Sequence, residues 1–495
     1  MAANVSQRSS STVQTHSNIG LILLLICSSF FALYHSNAAY TSDEVWSVNT
    51  VLSDSLISAL KADVHPPFYF NLLDVWVSLF GHGERAVRSL SGLFYLLAIL
   101  ALYRLAREIY GDELALLSAA VYACSPLAIL SAQFARMYAL LSLLSIVSTL
   151  LYVQFWIKDR TNAWRLAAYV AINILGTFTQ IAFFFTLFGQ IIFHLFCHRK
   201  GLKKFIVAIG ISVIPYLLFW TPILRLQLET AAIGLVWVKR LSFSMLWDVL
   251  FLYGGALWLV LPVLLFLSWR RGMRFWKEAA SQRLSLLLLA FTILPSLVIS
   301  IIRPVFNSRL AIVGLHLFAL AVAPFFRQMT GRYVLPLVLV LVTGSFLVAV
   351  HPAAEACDNR SLATYLVQNA HDNDVAIFTS LTRMPIDYYL AQSGSRKLFE
   401  VSFPAEIDQH PGYEGRARDA SRRVELESEA RELITKIRAM RSANPELRVF
   451  FLHGSHPEID EFLEKELKQG FVLLPNQQIQ CTEGSSYLKT ISVYR

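Results

Sequence analysis

Two adjacent carboxylates, Asp43 and Glu44, follow the first apolar segment of the chain, within Thr41-Ser42-Asp43-Glu44-Val45-Trp46. Ionisable groups at a bilayer boundary are costly to hold there and mark candidate functional positions. A carboxylate so placed can take a proton from an acceptor hydroxyl or amine, and an adjacent pair can hold a divalent cation. The competing role is structural, because Thr41, Ser42 or Asp43 ahead of an apolar helix makes an ordinary N-cap. A second polar string, Asp63-Val64-His65-Pro66-Pro67-Phe68-Tyr69, follows in the same stretch. Paired prolines stiffen that turn. His65 is then either a metal ligand or hydrogen-bonding group, or a polar residue on the rim of a turn.

Three arginines complete the set. Arg136 lies in Gln133-Phe134-Ala135-Arg136-Met137-Tyr138, and Arg303 and Arg309 flank Pro304-Val305-Phe306-Asn307-Ser308. Guanidinium forks bind phosphate oxygens bidentately, which suits a lipid-linked phosphate; the competing role is snorkelling to headgroups. Lys239 and Arg240 sit on a longer loop, as an interface anchor or part of a lid. The sequence contains no Walker motif and no readable nucleophile–His–acid pattern. This argues against ATP-driven chemistry and leaves the energy to an activated, lipid-borne substrate.

The elements that must position these residues are apolar helices. Of 495 residues, 55% are hydrophobic and 16% charged, with mean hydropathy +0.51. Soluble domains have about 25% charged residues, so this chain is expected to be a polytopic α-helical membrane protein. Residues 1–18 read as a disordered cytoplasmic tail and 19–39 as the first span. Residues 40–85 form an outer loop with interfacial helices, in which Trp46, Leu52, Leu56 and Leu60 fall at helical spacing. Ten further apolar blocks end near 351, giving eleven spans of roughly 20 residues each. With a cytoplasmic N-terminus, cytoplasmic loops carry 16 Lys and Arg and outer loops nine. That bias follows the positive-inside rule and places both Asp43-Glu44 and the C-terminus outside. The net charge of +9 is uneven: residues 1–351 carry +13 and residues 352–495 carry −4. The basic surplus therefore belongs to the membrane part, and nucleic acid need not be invoked.

Residues 352–495 change character. Asp374–Phe378 and Arg448–Leu452 read as buried strands, 424–442 as an amphipathic helix, and Gly470–Arg495 as strands with a turn at Glu483-Gly484. Alternating strands and helices predict a small extracytoplasmic α/β domain. Cys357 and Cys481, near its two ends, are candidates for a disulfide, whereas Cys27, Cys124 and Cys197 lie in apolar segments as packing residues.

Four motifs in this order carry a resemblance: the Asp43-Glu44 pair, His65-Pro66-Pro67-Phe68-Tyr69, Phe134-Ala135-Arg136-Met137-Tyr138-Ala139-Leu140, and Arg303-Pro304-Val305-Phe306-Asn307-Ser308-Arg309. Over roughly residues 20–330 the chain resembles the GT-C glycosyltransferases, in the family 39-like branch of dolichyl-phosphate-mannose-protein mannosyltransferase-like and lipid A aminoarabinose transferase-like enzymes. The resemblance implies a GT-C-like catalytic domain over 19–351 and a sugar donor on polyprenyl phosphate. It implies Asp43 as general base, supported by Glu44 and His65, and inversion at the anomeric carbon. It also implies Arg136, Arg303 and Arg309 on the donor phosphate, with Tyr69 and Tyr138 lining the sugar site. No metal is expected to be obligatory, Glu44 and His65 being the residues that could hold one. The expected partners are membrane lipids and an acceptor glycan, glycolipid or protein, and the expected location is the bacterial inner membrane. The alternative is a lipid-linked sugar transporter or flippase without transfer chemistry.

Overall fold

The computed structural model describes residues 2–61, 65–225, 240–255, 280–328, 358–393, 398–409, 422–454, 457–474, 479–483 and 487–495, with positions 257, 258, 262, 266, 341 and 344. The helices of the N-terminal two thirds are α1 (Ala2–Leu33), α2 (Ser42–Leu52), α3 (Leu56–Lys61), α4 (Phe68–Phe80), α5 (Glu84–Tyr110), α6 (Asp112–Ala123) and α7 (Pro126–Ala132). They continue with α8 (Tyr138–Tyr152), α9 (Ala163–Thr177), α10 (Phe183–Phe193), α11 (Leu202–Phe219), α12 (Phe243–Gly254), α13 (Ala280–Ile302) and α14 (Ile312–Val322). The chain divides into two compact units, and α2 belongs with the C-terminal one: residues Asn37–Ser53 group with the chain beyond His351.

The first unit is helical. Among the described residues, four helices are long and apolar enough to cross a bilayer: Glu84–Tyr110, Tyr138–Ile157, Leu202–Phe219 and Ser281–Ile302. Helices α6 and α7, bent by 63° at their break, make a fifth if counted as one span. Pro126 at the first position of α7 causes that break, because proline cannot supply the N–H that would continue the ladder from α6. Five shorter apolar helices lie in Asn18–Leu33, Phe68–Phe80, Phe183–His198, Phe243–Gly254 and Ile312–Phe325. The protein is thus multi-pass, and the expected block 333–351 falls largely outside the described residues. The helix of the first span starts at Ala2, so the backbone of the Ser/Thr-rich stretch expected as a disordered tail is helical. The expected pair between 165 and 197 is two helices, α9 and α10, with a break at 178–182.

Helices meet in a bilayer without the hydrophobic drive available in water, so small residues and interhelical hydrogen bonds hold them. Tyr169 donates to Gln190 Oε1 (2.5 Å), Gln190 Nε2 to Ser148 Oγ (3.0 Å) and Ser148 to Asn173 Oδ1 (2.7 Å), joining α8, α9 and α10 through fully or almost fully buried side chains. Gly189 lets α10 approach α13: a Cβ there would stand 2.2 Å from Thr292 Oγ1 and 3.2 Å from the Thr292 Cα.

The second unit contains α2 and an α/β sandwich. Its elements are α15 (Asn359–Asn369), β1 (Val375–Phe378), α16 (Arg383–Gln392), β2 (Phe399–Ser402), α17 (Glu406–Gln409), α18 (Arg423–Ala443), β3 (Val449–His453), α19 (Pro457–Leu467), β4 (Ile479–Glu483) and β5 (Tyr487–Tyr494). The sheet order is β2-β1-β3-β5-β4, with β2, β1 and β3 parallel and the last two pairings antiparallel. Strand β1 is buried along its whole length and β3 over its first four residues, which is why both read as unbroken apolar runs. On one face Leu426, Ala430, Ile434 and Ile437 of α18 and Ile459, Leu463 and Leu467 of α19 pack on Val375, Ile377, Val449 and Phe451. Both parallel strands start at one ion pair, Arg448 Nη2 to Asp374 Oδ2 at 2.9 Å, while the Arg448 N–H donates to Asp374 Oδ1 at 2.8 Å. At the opposite strand ends His453 faces Asp460 (3.4 Å) and Glu464 (3.5 Å). Burial pushes the Asp460 carboxyl above its ordinary range, opposed by His453.

Two expectations follow from this packing. Gly189→Leu should destabilise the protein by about 1–3 kcal/mol through overpacking, read as a lower thermal midpoint in detergent; an unchanged midpoint would contradict the close approach. Asp460 is easier to protonate folded than unfolded, so its contribution is full below the unfolded carboxylate value and is lost as pH rises through the folded one. From about pH 4 towards neutrality, the thermal midpoint of Asp460→Asn should therefore fall less steeply than the parent's, and parallel slopes would count against the assignment.

Candidate functional site

The Gln133–Met137 segment is a bend between α7 and α8, and it is pinned from several sides. The Arg136 N–H donates to the Phe134 carbonyl (2.7 Å), which also accepts from Ser91 Oγ (2.8 Å) on α5. Gln133 Nε2 donates to the Phe31 carbonyl at the end of α1 (2.6 Å). The bend carries Arg136 inward, where only 5% of it is exposed, and Arg136 Nη2 lies 3.4 Å from His65 Nδ1. A guanidinium only donates, so Nδ1 is the acceptor in this contact and the imidazole proton sits on Nε2. His65 is held in turn by the stiff Pro66-Pro67 pair, which leads into α4, and by the Phe68 N–H donating to the Phe178 carbonyl (2.9 Å). Asp63 and Val64, from the same string, lie outside the described residues.

Arg309 reaches the same bend from the other side. Its guanidinium carbon stands 5.3 Å over the Phe134 ring, and that ring stacks on Tyr138 at 6.2 Å with an interplanar angle of 8°. The loop that delivers Arg309 is fixed: the Val305 and Phe306 N–H groups donate to Ser300 Oγ (3.3 and 2.7 Å), and the Leu310 N–H donates to Asn307 Oδ1 (3.0 Å). The bend thus gathers His65, Arg136, Arg309 and Tyr138, with the Phe134 ring contacting both Arg309 and Tyr138. Two guanidinia held by one bend suit a phosphate. Arg303 is exposed just past the end of α13, and among the described residues no contact joins it to Arg136 or Arg309. Tyr69 is fully buried, edge-on to Phe70 at 5.7 Å.

Two residues of this neighbourhood escaped the sequence reading. Arg88, counted there only as an outer-loop charge, is 4% exposed and donates to the Ser36 carbonyl (3.2 Å) and the His35 carbonyl (3.4 Å), just beyond α1. Phe134 stands in the Arg136 motif, where the sequence alone assigns it no role. Its spacing to Tyr138, four residues on and at the start of a helix, was the available signal.

Asp43 and Glu44 belong to the other unit, in the first turn of α2. Glu44 is fully buried and closes a capping box: the Thr41 N–H donates to Glu44 Oε2 (3.0 Å), the Thr41 hydroxyl does likewise (3.1 Å), and the Glu44 N–H returns to Thr41 Oγ1 (3.4 Å). The structural role therefore falls to Thr41 and Glu44. Asp43, beside them, is part-exposed. Of the two residues that could hold a metal, Glu44 is occupied with the cap and His65 Nδ1 faces a guanidinium. Among the described residues no three His, Cys, Asp or Glu side chains gather as a metal site would need. Cys357 and Lys239 lie outside the described residues, as does the Cys481 side chain; Arg240 is exposed. Cys27, Cys124 and Cys197 are free thiols; Cys124 is buried as expected of a packing residue, while Cys197 is exposed.

No curated protein matches this chain in sequence. Residues 64–224, about a third of the chain, match the model of the dolichyl-phosphate-mannose-protein mannosyltransferase family. The match contains His65, Tyr69, Arg136 and Tyr138 and leaves out Asp43, Glu44, Arg303 and Arg309. In fold the chain is similar to ArnT from Cupriavidus metallidurans bound to undecaprenyl phosphate, with TM-score 0.61 at 11% identity over 97% of this chain and 98% of that one. It is also similar to the Archaeoglobus fulgidus oligosaccharyltransferase tethered with an acceptor peptide, with TM-score 0.53 at 13% identity over 93% of this chain and 73% of that one. At such identities these two likenesses establish the fold. Residues 64–224 are thus similar to the dolichyl-phosphate-mannose-protein mannosyltransferase family, and the fold over nearly the whole chain is similar to that of ArnT.

Proposed function

We propose that this protein moves a sugar from a polyprenyl-phosphate donor to an acceptor on the extracytoplasmic face of a bacterial inner membrane, with inversion at the anomeric carbon. The observation that carries the reading is the bend at Gln133–Met137, which holds Arg136 against His65 and Arg309 over Phe134 within or beside the segment that matches the family. Asp43 takes the proton of the acceptor hydroxyl or amine. The acceptor atom then bonds to the anomeric carbon as the carbon–oxygen bond to phosphate breaks, and polyprenyl phosphate departs with the electron pair. Arg136 and Arg309 neutralise the charge that develops on that phosphate, an electrostatic effect strongest where water is excluded. Arg303 is assigned to the same phosphate, arriving from the exposed end of its loop. His65 orients Arg136, Tyr69 and Tyr138 line the sugar site, and Glu44 supports Asp43 through the cap.

The topology that goes with this chemistry has eleven spans, a cytoplasmic N-terminus and an extracytoplasmic C-terminal unit. The surplus of 16 basic residues in the cytoplasmic loops over nine outside supports it. The acceptor is a glycan, a glycolipid or a protein.

Purified full-length protein in nanodiscs, given undecaprenyl-phosphate-linked mannose, glucose or aminoarabinose and cell-envelope lipids and glycans, should release undecaprenyl phosphate and label an acceptor. Intact donor recovered from the opposite leaflet would instead identify a flippase. Asp43→Asn should lower kcat by about 10²–10⁴-fold, the range of a lost general base, with the protein still folded; near-normal turnover would remove Asp43 from the mechanism. Arg136→Ala should cost about 10²–10³-fold, the range of a lost charge-stabilising group, and weaken donor use. Donor dependence equal to the parent's in that variant would sink the phosphate assignment.

A further inference from the structure

We infer that the C-terminal α/β unit is a positioning device for the catalytic carboxylate, and that Asn359, Arg360 and Tyr389 act on the reaction by fixing the entry to α2. The inference rests on the reading of Asp43 as the base. Residues 37–42, immediately ahead of Asp43, are clamped by side chains more than 300 positions later in the chain. The Tyr40 N–H donates to the Tyr389 hydroxyl (2.7 Å), and the Tyr40 carbonyl accepts from Asn359 Nδ2 (2.9 Å). Tyr40 is fully buried and Asn359 is 4% exposed, so both backbone groups of Tyr40 are satisfied by side chains inside the unit. Leaving either unmade would cost the desolvation of a buried polar group.

Further ties converge on the same six residues. The Ala39 N–H donates to Asp358 Oδ2 (3.3 Å), while the other Asp358 oxygen caps α15 by accepting from the Ser361 N–H (3.0 Å). Arg360 Nη2 donates to the Asn37 carbonyl (3.2 Å), and its guanidinium lies 5.5 Å over the Tyr389 ring. Ser42 Oγ donates to the Leu381 carbonyl (3.0 Å). One helix end, one aromatic hydroxyl and one backbone carbonyl of the C-terminal unit thus hold the chain entering the capping box, and the first turn beyond the clamp carries Asp43. A general base must stand within hydrogen-bond reach of its proton, and a displacement of about 1 Å is enough to cost about 10²-fold in rate. An entry segment tied at Asn37, Ala39, Tyr40 and Ser42 removes that freedom before substrate arrives. This gives the C-terminal unit a task within the reaction.

The test uses Tyr389→Phe and Asn359→Leu in the full-length protein, with undecaprenyl-phosphate sugar that the parent turns over. Release of undecaprenyl phosphate gives kcat and donor KM, and hydrogen exchange of the substrate-free protein reads the clamp directly. Each variant should lose about 10–100-fold in kcat with donor KM changed less than about twofold. Exchange should quicken at residues 40–46 and stay as in the parent at β1 and β3. Lys436→Ala, at an exposed pair with Glu432 on the same unit, should leave all of these unchanged. Parental kcat in both variants overturns the inference. So does a loss of kcat accompanied by faster exchange throughout β1 and β3, since that is unfolding of the unit. Full turnover by Asp43→Asn would show instead that the base has been misassigned, with the exchange data still deciding whether the clamp exists.

Discussion

A guanidinium withdrawn from water needs a partner, and the Arg136–His65 contact is the constraint around which the helical unit is arranged. Arg136 is almost wholly buried on a bend that interrupts two apolar helices. Holding it there takes a rigid His65, and that takes the two prolines ahead of α4. It also takes a bend that cannot relax, secured by Ser91 on α5 and Gln133 reaching back to α1. The same bend carries Phe134, whose ring contacts Arg309 and stacks with Tyr138. The buried charge thus sits on a segment fixed by hydrogen bonds to α1 and α5.

The carboxylate side follows a different logic. Thr41 and Glu44 satisfy one another at the start of α2, a cap of the kind worth about 1 kcal/mol. The adjacent pair is thus divided: Glu44 closes the cap, and the proposed function gives the chemistry to Asp43. A short helix such as α2 is marginal by itself. Its order comes from the α/β unit that ties down residues 37–42, and from the apolar face of α2, where Val45, Val48 and Val51 are buried. This segment follows the first span directly in the chain, yet it packs with the C-terminal unit.

Patterns that follow from local physics were legible in the sequence. The apolar blocks marked helices because a backbone in hydrocarbon must satisfy its own hydrogen bonds. The runs at Asp374–Phe378 and Arg448–Leu452 marked buried strands because both faces are covered, and the spacing of Leu426, Ala430, Leu433 and Ile437 marked α18 because one face is. The four motifs, in their order, carried the glycosyltransferase resemblance, and two of them lie within the segment 64–224 that matches the family model.

What the sequence could not decide were the partners of its polar residues. A capping box and a catalytic dyad are the same letters until the Glu44 carboxylate is seen on the Thr41 N–H. Arg88 and Arg136 both read from sequence as outer-side arginines, yet one closes backbone carbonyls beyond α1 and the other meets an imidazole. Arg303 and Arg309 flank one loop, but only the second reaches the Phe134 ring. Tyr40 and Asn359 are 319 residues apart, and no local pattern links them. Periodicity and composition report burial, which each residue carries in its own chemistry. Hydrogen bonds and ion pairs depend on ångström distances between remote segments, and only the folded chain sets those.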